Sequence, residues 1–244
     1  EDNLKNVGRA ELLAFKRDYY VPSRTKLVIT GDVDPNEVQM ECRNLFGSYK
    51  ASGAVEDKMA IQTVPAETVV LNETSRGGGG QVALAFLGPS AKEHRDVHRV
   101  DLLSFLIGNG KGSLLGKELD AAKTEMSGSM EYLTSAFPGV IIITAQSKPG
   151  QEDETLKKVD AVLGRVRKGD FSEKDLARAK KTLTNLYRFG LETNAGKAGN
   201  WGTYETIDKM DFAKTYADDI NKLTRADLAA AAEKYFSRNH YRLV

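Results

Sequence analysis

The chain has 244 residues, 41% hydrophobic and 28% charged, with 35 basic against 34 acidic side chains and a formal net charge of +1. This is the composition of a water-soluble globular protein, long enough for one large domain or two ordinary ones. No long-range field draws nucleic acid or anionic lipid, and no apolar run approaches the roughly 18 residues of a membrane span. Cys42 is the single cysteine, so no internal disulfide and no C-x-x-C pair exists, which suits a periplasmic or a reducing compartment equally. Residues 1–20 do not resemble a signal peptide. An opening "EDNLKNVG" without methionine reads as a processed product or a cut chain.

In chain order, "GRAELLAFKRDYY" (8–20) carries the apolar period of an amphipathic helix, stopped by Pro22. "TKLVITGDV" (25–33) predicts a short buried strand. "DPNEVQMECRNLFGSY" predicts a helix with Asp34 as N-cap and Pro35 at the first helical position. Residues 48–64 are polar and aperiodic, the composition of a linker. Strands are expected at 66–73 and 81–87, on either side of "SRGGGG". A helix follows over 91–107, opened by a capping box Ser90-x-x-Glu93, and a second covers "SLLGKELDAA". "TEMSGSMEYL" and "GVIIITAQS" read as a hairpin across "TSAFPG". From residue 151 the pattern is helical, with capping boxes Ser172-x-x-Asp175 and Thr224-x-x-Asp227. "NAGKAGNWGTYETI" (194–207) reads as a glycine-loosened helix junction in which Trp201 and Tyr204 pack. Strands first and helices after argue for α+β.

The chain also resembles itself. "GRAELLAFKRDYYVPSRTKLV" (8–28) aligns without gaps on "TRADLAAAAEKYFSRNHYRLV" (224–244), pairing Arg9, Ala10, Leu12, Ala14, Tyr19, Leu27 and Val28 with Arg225, Ala226, Leu228, Ala230, Tyr235, Leu243 and Val244. Each copy is a helix, an aromatic pair, a polar turn and the start of a strand. A duplicated domain explains this, with the first copy represented by its tail and the second by nearly its whole length.

"LLAFKRDYYVPSRTKLVITGDVDPNEVQMECRNLFGSY" resembles the closing segment of the first domain in the insulinase/pitrilysin family of zinc metallopeptidases, which includes mitochondrial processing peptidase and many bacterial zinc proteases. "QVALAFLGPS", "LLSFLIGNGKGSLLGKEL" and "KGDFSEKDLARAKKTL" are similar to successive parts of that family's second domain. The resemblance covers nearly the whole chain. It implies duplicated α+β domains, each a two-layer unit with an antiparallel-rich mixed sheet and helices packed on one face. It further implies that residues 1–50 are the C-terminal tail of a first metallopeptidase-like domain, 51–64 a linker, and 65–244 a second, non-catalytic domain lacking its last strand. The zinc-binding H-x-x-E-H of such enzymes would precede residue 1, and no H-x-x-E-H exists in these 244 residues. No cofactor is therefore expected in this chain, and zinc is expected in the preceding part of the parent. The implied partners are that preceding domain, a peptide substrate, and a homologous or identical subunit in a dimer. The implied compartment is a bacterial periplasm or cytoplasm.

Three stretches invite a site. His94 and His98 have the i, i+4 spacing of two zinc ligands, but Arg95 and Val97 stand where either zincin motif places its glutamate. Asp96 points to the far side of the helix, and Lys92, Arg95 and Arg99 repel a cation. The pair reads as surface or groove histidines in the first turns of a helix. The family's glycine turn places the counterpart of the zinc motif at about 101–105, two turns later. "RGGGGQ" (76–81) lacks the Lys-Ser/Thr of a phosphate-binding loop and reads as a strand connection. The family's second domain also carries an arginine and a tyrosine that hold the substrate backbone, in a pattern like L-R-E-x-x-G-L-A-Y. The matching stretch is "LDAAKTEMS", which puts Asp120 and Ser127 at those two positions. Both departures remove donors for carbonyl oxygens, with Lys117 or Lys123 as nearby substitutes. Two functions follow: the non-catalytic portion of a peptide-hydrolysing zinc metallopeptidase, lining its substrate chamber, or an inactive assembly subunit of a heteromeric complex.

Overall fold

The computed structural model of the chain describes residues 2–49, 62–74, 79–120 and 127–244. A single turn, α1 (Asp2–Lys5), leads into α2 (Arg9–Tyr19), where Glu11 reaches back to accept the Gly8 backbone N–H at 3.0 Å. Helix α3 (Pro35–Phe46) starts as its sequence requires, with Asp34 accepting the N–H groups of Asn36 and Glu37 at 2.7 and 3.4 Å. Neither α2 nor α3 buries any residue. The strand expected at 25–33 does not form a ladder among the described residues. A strand is stable only against a partner for its backbone groups, and this segment instead runs beside a later helix, Thr30 Oγ1 donating to the Asn194 carbonyl at 2.6 Å.

The sheet is built from β1 (Val69–Leu71), β2 (Gly80–Leu87), β3 (Gly128–Tyr132), β4 (Val140–Ser147) and β5 (Tyr241–Leu243), in the order β1-β5-β2-β4-β3. Among the described residues only β1 and β5 pair in parallel; the hairpin β3–β4 closes with Tyr132 opposite Ile141. Between β2 and β3 lie α4 (His94–Ile107) and α5 (Leu114–Asp120); after β4 come α6 (Glu152–Arg167), α7 (Glu173–Gly190), α8 (Asn194–Ile207), α9 (Asp211–Lys222) and α10 (Arg225–Phe236). The α+β reading and the mixed, mainly antiparallel sheet hold.

The alternation of strand residues separates two faces. Val82, Leu84 and Phe86 of β2 and Ile141, Ile143 and Ala145 of β4 are buried under the helical layer, where α4, α6 and α10 supply Leu102, Leu103, Leu106, Val159, Leu228 and Tyr235. Burying each Leu- or Val-sized side chain contributes about 1.5–3 kcal/mol. The opposite face is open and mixed, with Thr144, Gln146, Ser129 and Glu131 beside a group of apolar side chains. Register places Ala85 between Ile142 and Tyr241, and Ala83 beside Leu243, and Ile142, Tyr241 and Leu243 are 41%, 45% and 39% exposed. An antiparallel sheet with a water-facing side ordinarily alternates to polar residues there.

Two expectations need correction. Helix α4 begins at His94 rather than 91, because Ser90 and Glu93 close a turn of their own: Glu93 N–H donates to the Ser90 carbonyl at 3.0 Å and its carboxylate accepts the Ser90 N–H at 2.9 Å, with Glu93 itself non-helical. Residues 194–207 are a continuous helix rather than a junction. Thr193 caps it, accepting the Gly196 N–H at 3.0 Å, and Gly196 is where a Cβ would lie 2.0 Å from the Gly190 carbonyl oxygen, so glycine serves a close turn-to-helix approach. The capping boxes at Ser172 and Thr224 both form. The two aligned stretches share their helix, α2 and α10, but the strand that follows forms only in the second, as β5.

Candidate functional site

The first turns of α4 carry His94 and His98, and the structure sends them to different partners. His94 lies on the rim, its Nε2 bonded to Asp208 Oδ2 at 2.5 Å. His98 is buried, contrary to the expectation of a solvent-facing pair. Helix α9 is the reason: its Phe212 ring stacks on His98 at 4.5 Å with 9° between the planes, and Tyr216 lies 5.2 Å away. Burial holds the His98 imidazole neutral, its pKa pushed down to about 4, with Asp219 opposing and His94 adding to the shift. Its Nε2 has no hydrogen-bond partner among the described residues. A zinc site needs both imidazoles converging on one point with a carboxylate beside them. His94 is taken by Asp208, and His98 faces an aromatic stack, so the pair does not fit the ion. Asp96 turns the other way, as the helical period requires, and accepts Arg99 Nη1 at 3.0 Å, Lys234 Nζ at 2.5 Å and the Tyr235 hydroxyl at 2.9 Å. Arg99 also donates to Asp227 at 2.7 Å, and that bond holds the Asp227 carboxyl well below the usual carboxylate range. Among the described residues, no group of three or more His, Cys, Asp or Glu is placed to hold a metal.

One turn on, α4 reaches 101–105. Asp101, Ser104 and Phe105 line a cleft of about 550 Å³ between α4, β3, α7, α8 and α9. Asp101 Oδ2 accepts the Tyr216 hydroxyl at 2.6 Å. Desolvation pushes its pKa up to about 7, the Tyr216 bond opposing. The apolar run "VDLLSFLI" holds the only signal of this feature in the sequence, an acid among core residues.

The two positions matching the substrate-holding pair lie between α5 and β3. Ser127 is exposed at the leading end of β3, an edge strand. Its carbonyl accepts the Gln146 N–H at 2.8 Å, and its own N–H donates to the Gln146 side chain at 3.4 Å. Asp120 ends α5, but its side chain, and residues 121–126 with Lys123, lie outside the described residues. Lys117 is committed to an ion pair with Asp175. The first half of "RGGGGQ", residues 76–78, also lies outside the described residues; Gly80 opens β2, where a Cβ would lie 2.4 Å from Glu152 Oε1. Tyr204 packs on Phe212 at 4.8 Å, in keeping with the packing role read from the sequence.

A protein-family model described as the peptidase M16 inactive domain matches residues 6–183. The zinc protease PqqE of Helicobacter pylori is 26% identical, over 96% of this chain and 54% of that protein. The probable inactive metalloprotease YmfF of Bacillus subtilis is 18% identical, over 96% of this chain and 54% of that protein. The chain thus spans about half the length of these curated relatives. Among solved structures, a protease from Helicobacter pylori matches at a TM-score of 0.88 and 23% identity, over 99% of this chain and 60% of that one. The first half of the periplasmic protease PqqL from Escherichia coli matches at 0.71 and 12%, over 100% and 56%. These structural likenesses establish a shared fold.

Proposed function

Because this chain belongs to the peptidase M16 inactive-domain family, we propose that it serves as the non-catalytic portion of a zinc metallopeptidase that hydrolyses peptides or unfolded polypeptides. The catalytic zinc then sits in the portion of the parent that precedes this chain, and this chain supplies one wall of the chamber. The observation that carries the reading is the open sheet face. Ile142, Tyr241 and Leu243 lie on it, each more than a third exposed, and large apolar side chains grouped on an open face mark a binding or interaction surface. An extended peptide could lie along that face and the β3 edge, with main-chain hydrogen bonds giving sequence-tolerant binding. Ser127 and Asp120 flank the approach to that edge.

On this reading residues 1–50 are the tail of the first domain, 51–64 the linker and 65–244 the second domain. Exposed Leu12, Leu13 and Phe15 of α2 and Leu45 and Phe46 of α3 support that division; they are the apolar faces of helices whose own domain would cover them. The parent is placed in a bacterial periplasm or cytoplasm, and no described helix is long and apolar enough to cross a membrane. A second subunit of the same kind would complete the enclosure.

A silent assembly subunit is the second reading, motivated by Asp120 and Ser127 standing where an arginine and a tyrosine would hold substrate. The intact parent decides between them. Chelator-sensitive cleavage of an unfolded peptide by the intact protein, with H-x-x-E-H in its preceding residues, supports the peptidase. A parent without that motif, inert toward such peptides, supports the silent subunit.

A further inference from the structure

The helical layer holds a feature that the peptidase reading does not use. Asp101 sits in the third turn of α4 and lines the cleft between that helix and β3, α7, α8 and α9. Four tyrosines from four elements line the same space: Tyr132 of β3, Tyr187 of α7, Tyr204 of α8 and Tyr216 of α9. Three of their hydroxyls are spoken for. Tyr132 donates to the Pro89 carbonyl at 2.9 Å, Tyr187 to the Ala213 carbonyl at 2.5 Å, and Tyr216 to Asp101 Oδ2 at 2.6 Å. The Asp101 side chain is partly open to the cleft, and beside desolvation the Tyr216 hydroxyl is what acts on its carboxyl group. Tyr216 touches Asp101 directly, and Tyr132, Tyr187 and Tyr204 line the same cleft.

A carboxyl group that faces an aromatic-lined cleft, with a tyrosine hydroxyl on one oxygen, is left without a counter-charge unless a ligand supplies one. Its natural complement is a cation whose apolar stem fits the leucines and Phe105 and whose head meets both the carboxylate and the π systems. We propose that this cleft binds an organic cation, an alkylammonium or guanidinium group. Ammonium and guanidinium groups come from free amines or from lysine and arginine side chains of a peptide, and the two sources share this chemistry. The inference stands independently of the peptidase reading, because none of these groups belongs to the open sheet face.

The test uses the intact protein and calorimetry with three probes: n-butylammonium, the tripeptide amide acetyl-Ala-Lys-Ala, and its uncharged counterpart with norleucine for lysine. The lysine peptide is expected to bind about ten-fold or more tightly than the norleucine peptide, and Asp101→Asn to remove that preference. Tyr204→Leu, which leaves the carboxylate in place, is expected to weaken binding of the cation several-fold, and thermal unfolding of both variants controls for folding. Tighter binding of the lysine peptide than of n-butylammonium identifies a peptide side chain as the ligand; equal binding identifies a free amine; either supports the site. Equal binding of the norleucine peptide, unaltered cation binding in Asp101→Asn, or no saturation by either cation at millimolar concentration overturns it.

Discussion

His98→Phe tests whether helix α9 buries the second histidine as the structure shows. In the folded protein its pKa is pushed down from 6.5 to about 4. A histidine with a depressed folded pKa binds fewer protons in the native state, so its share of stability is whole above pH 6.5 and is lost as the pH falls toward 4. A shift of 2.5 units at about 1.36 kcal/mol per unit amounts to roughly 3 kcal/mol in full, of which about 2 kcal/mol is lost by pH 5. The charged groups that face it are Asp219 on α9 and His94 on its own helix, and Phe212 and Tyr216 complete its surroundings. Phenylalanine keeps the stack on Phe212 and removes the unpartnered Nε2, whose burial costs about 1–3 kcal/mol. The variant should therefore equal or exceed the native protein in stability at pH 7.5. Urea unfolding at pH 7.5, 6 and 5 should show the native protein losing about 2 kcal/mol more than the variant across that range. Other titrating groups, including His240 and Asp101, are common to both proteins and cancel in the difference. Parallel pH dependence in the two proteins would refute the buried placement.

Two further substitutions probe the scaffold. Gly108→Ala ends α4 with a Cβ only 2.0 Å from the Met130 backbone nitrogen and 2.6 Å from the Ser129 carbonyl carbon, so urea unfolding should register a loss of about 2 kcal/mol or more; a change below about 0.5 kcal/mol would show that helix and strand are farther apart. Thr224→Ala removes the side-chain acceptor of the Asp227 N–H, and should lower stability by about 1 kcal/mol in the same measurement, whereas an unchanged midpoint would mean that the box at α10 contributes nothing.

Local chemistry made much of this fold readable. Ser172 and Thr224 each sit three residues before an aspartate, and each opens a helix, because a cap depends only on neighbours in the chain. The hairpin read across "TSAFPG" likewise identified β3 and β4. What failed depended on distant partners. "TKLVITGDV" has the composition of a strand, but a ladder requires a second strand, and its counterpart in the repeat succeeds only because β5 lies between β1 and β2. The burial of His98 is decided by Phe212, more than a hundred residues away in the chain, where helical period alone could not place it. Glu93 satisfied the spacing of a capping box and instead became the residue before the helix. Asp101 was legible as an acid at the position where the family resemblance sets its lost motif, but the four tyrosines around it come from four elements and converge only in the folded chain.

The central claim is that this chain contributes a binding wall and no catalytic metal. It is tested most directly by incubating the purified 244-residue chain, supplied with zinc, with an unfolded casein peptide and following cleavage by mass spectrometry with and without a chelator. The account predicts an intact peptide in both samples. Cleavage that disappears on chelation, in this chain alone, would contradict it.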